Sequence, residues 1–421
     1  IYYALCIIKI IISGLCKYHY HSDPVWRTNS KFKYFSSFVI NDYDPTSQFC
    51  KMLGFLAEYC KITVYLTNGQ VCNYFIKAIS RTNEAKAEMT REMKLFDKEL
   101  RFYLEVKKAI EVPFVRDALV FEDLNALDFK LKNKFERFDM AHTLQALKTL
   151  ARFHAASIIY EENKMKKTHS AYRIIDDYEQ ILHKGGYEIS SQWYVQCMTG
   201  ALEAMETYSR YDAIEFDVIK KEWCNIWSSA LDLNDCLSEE IKVICHRDLW
   251  NNNIMFHYRE GAENQLIPDN CLFVDFQAVR YQPPASDVML LLCCNLEPKF
   301  RQNNIDFFLD AYYEDIEKYL TDHDIQIDSV MTKNEFLKSA EEQTKWGLVV
   351  CACLIPQFWI DDDTTTSIFS DNEQFHDVLC KNKGSFIKRM MQTNIDYKQK
   401  VMEIFEEIAD RYCFTNNNLY K

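Results

Sequence analysis

The chain has 421 residues, of which 48% are hydrophobic and 14% aromatic, so it can bury a large core in two or three packed units. Its 49 lysines and arginines stand against 62 acidic residues, and the net charge of −13 excludes the basic footprint of a nucleic-acid-binding protein. The 16 cysteines are scattered, without paired CxxC motifs, and there is no Asn-x-Ser/Thr sequon. These features predict reduced thiols and a cytoplasmic protein.

Residues 1–15, IYYALCIIKIIISGL, form an apolar run that Lys9 interrupts and that is too short to cross a bilayer comfortably. No later stretch offers eighteen consecutive apolar residues, so we predict no membrane span. A signal peptide is the alternative for this run, but the absent sequons and the scattered cysteines argue against it. We therefore set residues 1–30 aside as an N-terminal extension of uncertain role.

Residues 31–122 are rich in strand patterns. The segments CKITVYL and VCNYFIKAIS flank a turn at Asn68-Gly69, which indicates a β-hairpin. A charged segment over residues 83–109 follows, and its apolar side chains recur at helical intervals, which predicts one amphipathic helix. These side chains are Met89, Met93, Phe96, Leu100 and Tyr103. DALVFEDL, residues 117–124, is then typical of a buried strand that leaves the sheet.

The pattern changes near Asp123. MAHTLQALKTLARFHAAS begins a stretch of helical periodicity that runs to about residue 240. Two short strand-like pieces follow at 241–245 and 271–275, and helices continue to the end. This order predicts an α+β protein with two lobes: a small antiparallel-sheet N-lobe over residues 31–122 and a larger helical C-lobe over residues 123–421.

A dense polar cluster follows an apolar strand in VICHRDLWNNNIMF, residues 243–256. His-x-Asp after a strand, with an Asn five residues beyond the Asp, is the catalytic-loop pattern of phosphoryl-transfer enzymes with the kinase fold. In this interpretation Asp248 accepts the substrate proton and Asn253 binds a magnesium ion. The alternative is an Asn-rich turn whose amides cap the neighbouring backbone.

A second candidate metal carboxylate follows this loop in the sequence. The segment CLFVDFQAVR carries Asp275 and Phe276 from an apolar strand into a polar turn, twenty-two residues (253 to 275) after Asn253. The kinase fold needs its second metal carboxylate at this place, and a hard cation prefers such an oxygen pair. An isolated Asp at a strand end is often only a turn residue, but the upstream loop favours the metal ligand.

Lys77 is a candidate for binding the nucleotide phosphates. It lies in NYFIKAIS on a predicted strand, from which a long cation can project. Glu99, in FDKELRFY on the following helix, is the acid that we expect to pair with Lys77 and hold it in place, and Glu92 is the alternative partner. The alternative, without a functional role, is that the lysine and both acids point to solvent.

Two further segments complete the predicted nucleotide site. A strand that leaves between two lobes exposes backbone donors and acceptors to an adenine edge, so we assign this role to the stretch from Glu122 to Leu124. A phosphate-covering hairpin normally has several glycines, but MLGFLAEYCKITVYL offers only Gly54.

Together these motifs resemble the ecdysteroid kinase-like family of arthropods, also called CHK kinase-like, within the aminoglycoside phosphotransferase and choline kinase superfamily. The resemblance runs from about residue 40 to about residue 410. The family motif His-x-Asp-x-Trp-x-x-Asn matches His246, Asp248, Trp250 and Asn253, and Asp-Phe-Gln matches residues 275–277. FDKELRFY, LVFEDL and LARFHAAS match as well. The resemblance implies a protein-kinase-like fold and the phosphorylation of small molecules, ecdysteroid hormones and lipophilic xenobiotics among them.

Arg247 departs from the family, which usually has His-Gly-Asp, and makes the loop look like that of a protein kinase. Two other features argue against a protein substrate. Trp250 stands where a serine/threonine kinase supplies a lysine, and only eleven residues separate Asp275 from Asp287, which leaves no activation segment to seat a peptide. We therefore predict a small-molecule acceptor, with no nucleic acid and no obligate protein partner.

The predicted mechanism uses ATP and Mg²⁺. Lys77 and a magnesium ion held by Asn253 and Asp275 neutralise the triphosphate, while Asp248 orients an acceptor hydroxyl for in-line attack.

Two further residues are predicted to brace the loop. His246 lies two positions before Asp248 and is expected to point inward, and Asp287 is expected to accept backbone amides of the same loop. The alternative for Asp287 is that it only caps a helix.

The sequence indicates less about the chemical class of the acceptor. Residues 160–240 and the segment KWGLVVCACLIPQFW carry the aromatic material where the superfamily builds its acceptor cleft, and an apolar, ring-shaped alcohol suits it. Choline-like amino-alcohols are an alternative, because clustered aromatics hold cations. A catalytically weak pseudokinase that binds a lipophile and a protein kinase are the remaining alternatives.

Overall fold

The structure is a computed structural model, and it describes residues 35–41, 56–66, 69, 71–80, 83–106, 114–115, 118–183, 187–235, 240–262 and 265–414. The predicted N-terminal extension and Gly54 lie outside the described residues. The chain divides into two compact units, Ile1–Lys130 and Leu131–Lys421. The predicted boundary after Glu122 lies eight residues before this division.

The first unit is built on a five-stranded sheet of order β1-β2-β3-β5-β4, in which every adjacent pair is antiparallel. The strands are β1 (Phe35–Asn41), β2 (Ala57–Leu66), β3 (Val71–Ile79), β4 (Phe114–Val115) and β5 (Ala118–Glu122). Strands β2 and β3 form the predicted hairpin, and Gly69 between them has φ +84°, which glycine adopts without strain. Ile62 and Val64, two residues apart on β2, are buried, so one face of the strand contributes to the core.

The predicted single helix after the hairpin is wrong: the structure has two helices, α1 (Glu84–Glu92) and α2 (Leu95–Arg101), followed by a π-helical turn at Phe102–Val106. The break falls at Lys94, whose φ of 53° is left-handed. The buried positions explain it, because those of α1 (Lys86, Ala87, Thr90) and those of α2 (Leu95, Phe96, Lys98, Glu99) are out of phase along a straight helix. The break lets both helices bury a face.

The second unit is mainly helical. Its helices are α3 (Met140–Thr168), α4 (Ile174–Leu182), α5 (Gln192–Tyr208), α6 (Ala213–Asp235), α7 (Pro284–Asn295), α8 (Pro298–Thr321), α9 (Lys333–Phe358), α10 (Asp362–Ser370), α11 (Asn372–Cys380), α12 (Lys383–Thr393) and α13 (Ile395–Tyr412). Its strands are β7 (Val243–Cys245), β8 (Ile254–Glu260), β9 (Leu266–Phe273) and β10 (Arg280–Gln282), and β6 (Lys130–Leu131) lies at the boundary of the two units. Strand β7 pairs with β10, and β8 pairs with β9. Strands β8 and β10 were not predicted.

Helices α7 and α9 form the centre of the second unit, and both carry residues of the site described below. Every residue of α7 is buried, which is the pattern of a helix enclosed on all sides. Gly347 allows α9 to approach closely, because a Cβ atom there would lie 2.9 Å from the backbone carbon and oxygen of Met289. The contact fixes α9 against the helix that carries Asp287.

The predicted α+β class, with a small antiparallel sheet unit before a larger helical unit, is confirmed. Among the described residues, no helix is long and apolar enough to cross a membrane. The described cysteines that the structure shows as free thiols include Cys351 and Cys353, both buried in α9.

Candidate active site

The polar cluster predicted as a catalytic loop joins β7 to β8. Strand β7 is completely buried, the loop that follows it from His246 stays buried as well, and Asn251–Asn253 form a turn of 3₁₀ helix that leads into β8. Asp248 is 8% exposed. Asn251 and Asn253 both donate side-chain hydrogen bonds to backbone carbonyls, which the alternative of a backbone-capping turn also predicts.

The structure brings the loop of Asp248 and the strand end of Asp275 together. Asn253 donates from Nδ2 to the carbonyl oxygen of Asp248 at 2.8 Å, which directs its amide oxygen away from that carbonyl. The backbone N–H of Val274 donates to the carbonyl oxygen of Asn253 at 3.0 Å, which continues the β8–β9 ladder. Asp275 follows at once, half-buried and with a left-handed φ of 66°. The three oxygen-bearing side chains therefore lie on connected backbone.

His246 links the same two segments. Its Nδ1 lies 3.3 Å from the backbone N–H of Asp248, and its Nε2 lies 2.9 Å from the carbonyl oxygen of Val274. The neutral tautomer with the proton on Nε2 satisfies both contacts, since Nδ1 then accepts and Nε2 donates. The ring is fully buried and packs on Phe276 with a centroid distance of 4.7 Å. This is the geometry of the predicted brace, and it engages both ring nitrogens.

Asp287 contacts the loop backbone as the prediction describes. Its carboxylate accepts the N–H of His246 at 2.5 Å and that of Arg247 at 2.8 Å, although it lies in the first turn of α7. A buried residue that the sequence did not assign, His154 on α3, contacts this carboxylate with its Nε2 at 3.2 Å. His154 is held in turn by Tyr312 on α8, whose hydroxyl lies 2.7 Å from His154 Nδ1. Burial raises the pKa of Tyr312, which keeps the hydroxyl protonated as a donor.

In the first unit, the structure contains the ion pair that the sequence predicts. Lys77 on β3 lies with its Nζ 2.6 Å from Glu99 Oε2 on α2. Both are nearly inaccessible, at 5% and 1% exposure. Glu92, the alternative partner, is exposed at the end of α1. The break at Lys94 matters here, because it gives Glu99 a separate helix whose buried face carries the acid.

The predicted adenine-binding stretch follows β5. Glu122 ends this strand, opposite Tyr74 of β3, and Leu124 begins a short 3₁₀ helix. Asp123 between them caps that helix and pairs with Lys61 at 2.7 Å. The assignment of Glu122 and Leu124 to nucleotide binding stays a prediction.

The chain passes from Asp275 to Asp287 by a direct route: a 3₁₀ turn at Phe276–Ala278, strand β10 and the start of α7. No independent segment lies between them that resembles a peptide-binding platform. Trp250, where a protein kinase has a lysine, instead stacks on Phe358 of α9 with a centroid distance of 4.5 Å and an interplanar angle of 19°.

A narrow cavity opens behind Trp250. It leaves room for about one water molecule between its side chains. The buried amide oxygens of Asn251 and Asn295 have no hydrogen-bond partner among the described residues, and both line this cavity. Its other lining residues include Trp250, Ile355, Phe358, Trp359 and Lys400.

The donor chemistry of the site fits a hard divalent cation. Asn253 and Asp275 offer amide and carboxylate oxygens, which Mg²⁺ prefers over nitrogen or sulfur. Among the described residues, one group of His, Cys and acidic side chains could also converge on an ion: His154, Cys245 and Asp287. Because Asp287 accepts hydrogen bonds from the backbone of the loop, we interpret this group of side chains as a structural brace of the loop.

The sequence of this chain is similar to those of known kinase-like proteins. The sequence profile of the "Ecdysteroid kinase-like family" matches residues 112–324, half of the chain. The matched span contains Asp248, Asn253, Asp275 and Asp287 but neither Lys77 nor Glu99. An uncharacterized kinase-like protein from Caenorhabditis elegans is 24% identical over 176 residues, which are 42% of this chain. The match spans about 41% of the length of that curated relative.

Solved structures with similarity to this chain include three enzymes. An ethanolamine kinase from Plasmodium vivax is 13% identical with a TM-score of 0.37, and the match covers 83% of each chain. A type I macrolide 2'-phosphotransferase is 10% identical with a TM-score of 0.36, over 79% of this chain and 91% of that one. An amicoumacin kinase in complex with AMP-PNP and Ca²⁺ is 15% identical with a TM-score of 0.33, over 86% and 89%.

Proposed function

This chain belongs to the ecdysteroid kinase-like family, and from that premise we propose that it is an ATP-dependent kinase that transfers the γ-phosphate to a hydroxyl of a lipophilic small molecule. The observation that carries the proposal is the hydrogen-bonded joining of two segments. Asn253 contacts the backbone of Asp248 through its side chain and the residue before Asp275 through its carbonyl. A catalytic carboxylate and two candidate metal ligands on connected backbone are what phosphoryl transfer requires.

Asp248 is proposed to accept the proton of the acceptor hydroxyl. The acceptor oxygen then bonds to the γ-phosphorus, the bond from that phosphorus to the bridging oxygen breaks, and ADP leaves. Positioning and charge supply most of the rate in such a reaction, so the bracing of the loop by His246 and Asp287 has a catalytic consequence.

Asn253 and Asp275 are proposed to hold Mg²⁺. When bound, the ion neutralises negative charge on the triphosphate. Lys77 is proposed to bind phosphate oxygens, and Glu99 keeps its ammonium group in place without leaving a buried charge uncompensated. The adenine is proposed to contact the backbone between Glu122 and Leu124.

The lipophilic acceptor is supported by the surroundings of Trp250. Trp250, Phe358 and Trp359 contribute three aromatic rings to the cavity, and Trp250 lies two residues beyond Asp248 in the loop. A hydroxylated steroid or a plant secondary metabolite is the acceptor class that we propose, with detoxification as one use of the reaction.

The test combines nucleotide binding with product analysis. We expect ATP with Mg²⁺ to raise the melting temperature more than ATP alone, and mass spectrometry of the acceptor panel to show the gain of one phosphoryl group. Asp248→Asn should lower turnover by about 10²–10⁴-fold and keep the ATP-dependent stabilisation, because the base is lost while the nucleotide ligands remain.

Asp269→Asn is the matched control, since Asp269 on β9 pairs with His257 at a partly exposed site outside the loop. Equal turnover by Asp248→Asn and Asp269→Asn would reject Asp248 as the base. Stabilisation by ATP without any phosphorylated product would instead favour the pseudokinase, and phosphorylation of peptides would favour a protein kinase.

We also propose a cytoplasmic location. The free cysteines of the described chain, such as Cys351 and Cys353, are those of a protein kept in a reducing compartment. Fractionation of source cells would contradict this if the protein were recovered from the secreted fraction.

A further inference from the structure

Helix α7 contacts the loop proposed as catalytic through a residue near each of its ends. Asp287, in the first turn of α7, accepts two backbone N–H groups of the loop that precede Asp248. Asn295, the last residue of α7, is 4% exposed and donates from Nδ2 to the carbonyl oxygen of Leu249 at 2.8 Å. The first contact holds the loop before Asp248, and the second holds it directly after Asp248.

The orientation of the Asn295 amide follows from its neighbours. Its Nδ2 lies 2.8 Å from the carbonyl oxygen of Leu249 and 2.9 Å from that of Leu291, one turn earlier on α7. Carbonyl oxygens only accept hydrogen bonds, so the NH₂ group must face both of them. The amide oxygen of Asn295 has no hydrogen-bond partner among the described residues. The contacts that fix this side chain are therefore its two donated hydrogen bonds.

The backbone of Asn295 is fixed as well. Its carbonyl oxygen accepts the N–H of Phe138 at 2.9 Å, which ties the end of α7 to the segment before α3. Asn251 of the loop contacts the same segment, because its Nδ2 donates to the carbonyl oxygen of Asn133 at 2.8 Å. The loop, the end of α7 and residues 133–138 thus meet at one hydrogen-bonded junction.

The bond from Asn295 differs from two other bonds that hold carbonyl oxygens of the loop. Asn253 donates from its side chain to the carbonyl oxygen of Asp248 and from its backbone to that of Trp250. These bonds fix the internal shape of the loop, since Asn253 itself belongs to the loop. Asn295 instead lies on a helix whose residues are all buried. Its bond therefore fixes where the loop lies relative to the core of the second unit.

We infer that Asn295 is a positioning residue for Asp248: by holding the Leu249 carbonyl, it keeps the Asp248 carboxylate where the acceptor hydroxyl is deprotonated. The inference rests on the proposed kinase function. Asparagine suits this position because the contact needs a neutral donor, whereas a carboxylate would face two carbonyl oxygens with no proton to donate. A misplacement of about 1 Å can lower a rate by about 10²-fold, so this one hydrogen bond has a catalytic consequence.

Two substitutions separate the hydrogen bonds of Asn295. Asn295→Ser leaves a hydroxyl that can bond to the carbonyl of Leu291, as serine does in helices, but its side chain is one atom shorter and loses the bond to Leu249. Asn295→Asp keeps the size and loses both donors. Asn304→Ser on α8 is the matched control. Asn304 donates to the carbonyl of Phe300 one turn earlier at 2.8 Å, without a hydrogen bond to the loop among the described residues.

The first measurement needs no nucleotide. Hydrogen exchange, followed by mass spectrometry, reports on the peptide that covers residues 243–256, where we expect slow exchange in the wild type. Exchange of this peptide should become about tenfold faster in Asn295→Ser, because one net hydrogen bond is lost, and faster still in Asn295→Asp. Peptides from α8 and α9 should keep their wild-type rates in both variants. In Asn304→Ser the loop peptide should exchange as in the wild type.

The second measurement is turnover of the acceptor, well below the melting temperature of each protein. The kcat should fall about tenfold in Asn295→Ser and about 10²-fold in Asn295→Asp, and it should be unchanged in Asn304→Ser. Stabilisation by ATP should persist in all three, because Asn253, a proposed metal ligand, keeps its own bond to the backbone of Val274. A residue that only stabilises the fold would lower the melting temperature and leave the kcat of the folded protein unchanged.

A wild-type kcat in folded Asn295→Ser and Asn295→Asp would overturn the inference. Faster exchange in every peptide would do the same, because Asn295 would then support the fold and not the loop in particular. Rapid exchange of the loop peptide in the wild type would also count against it. If Asn295→Asp does not melt cooperatively, the comparison of Asn295→Ser with Asn304→Ser decides. Absence of product from the wild type would contradict the kinase proposal, and the nucleotide-free exchange would still show whether Asn295 holds the loop.

Discussion

Two buried arginines of the second unit are held in opposite ways. Arg301 on α8 is 3% exposed and forms an ion pair with Glu407 on α13, which is also buried. Arg247, in the loop proposed as catalytic, is fully buried, and its guanidinium lies over the ring of Trp346. The first region is helical scaffold, and the second adjoins the proposed base.

The pKa values of the two arginines show the difference. Burial lowers the pKa of Arg301, but interactions with Cys293 and with Glu407 outweigh it, and the pKa is raised. For Arg247, burial and then repulsion from Arg280 lower the pKa to about 9. Attraction to Asp287 opposes this lowering only in part, and the faces of two aromatic rings also stabilise the cation.

The largest effect that we expect from this comparison is at the scaffold arginine. Glu407→Gln leaves Arg301 buried without its carboxylate, and breaking a buried ion pair by removing one partner costs about 3–5 kcal/mol. The free energy of unfolding, measured by urea titration, should fall by this amount.

Arg411→Met is the matched control, because Arg411 binds the same carboxylate at 2.9 Å but from a position that is 34% exposed. We expect its loss to change the free energy by less than about 1 kcal/mol. Equal effects of the two variants would show that Arg301 has another route of stabilisation, and the contrast with Arg247 would disappear.

The contacts that the sequence predicted correctly are mostly local in pattern. The hairpin follows from two apolar segments around Asn68-Gly69, and the pair of Lys77 with Glu99 follows from a strand lysine and a helix acid at family spacing. The order of a small sheet unit before a helical unit follows from the change of period near Asp123. Such features are set by nearby residues, so one sequence suffices to find them.

The missed features depend on residues far apart in the chain. Arg247 meets Trp346 across about a hundred residues, and Asp287 meets His154 across 133. Neither partner is set by spacing, although a buried histidine in the apolar segment LARFHAAS is a signal that could have pointed to the second contact. The helix break at Lys94 was missed because helical periodicity continues across it when only apolar residues are counted.

Lys86 in the first unit extends the comparison to a lysine. Burial is the largest cause of its pKa shift, as it is for Arg247. Burial, only partly opposed by attraction to Glu58, lowers the pKa of Lys86 to about 8. At about pH 7 the native state therefore carries a charge that its surroundings disfavour, and Lys86→Met should stabilise the protein by about 1–3 kcal/mol. The melting temperature of the two proteins at the same pH measures this.

The direction of the pKa shift fixes how stability changes with pH. The native pKa of Lys86 is about 8 and the ordinary value is 10.5, so between these two pH values the unfolded chain binds a proton that native Lys86 has released. The wild type therefore gains stability as pH rises through the window, and the advantage of Lys86→Met shrinks. Lys130→Met, at an exposed position of the same unit, should show no such trend. A constant advantage would mean that Lys86 stays charged.

The smallest change in stability is expected at Arg247 itself. Arg247→Met removes a charge that burial disfavours, as Lys86→Met does, but it also removes the contacts of the guanidinium with the Trp346 and Tyr187 rings, so the free energy of unfolding at about pH 7 should stay within about 1 kcal/mol of wild type. The pH dependence is again the sharper measurement. Because the native pKa of about 9 lies below the ordinary value of 12.5, the unfolded chain holds the proton that the native arginine has lost.

Above about pH 9 the wild type should therefore gain about 1.4 kcal/mol per pH unit relative to Arg247→Met. Urea titrations of both proteins at about pH 8 and about pH 10 measure the difference. If the difference does not change with pH, Arg247 is fully protonated throughout, and the aromatic faces hold its charge as firmly as Glu407 holds that of Arg301.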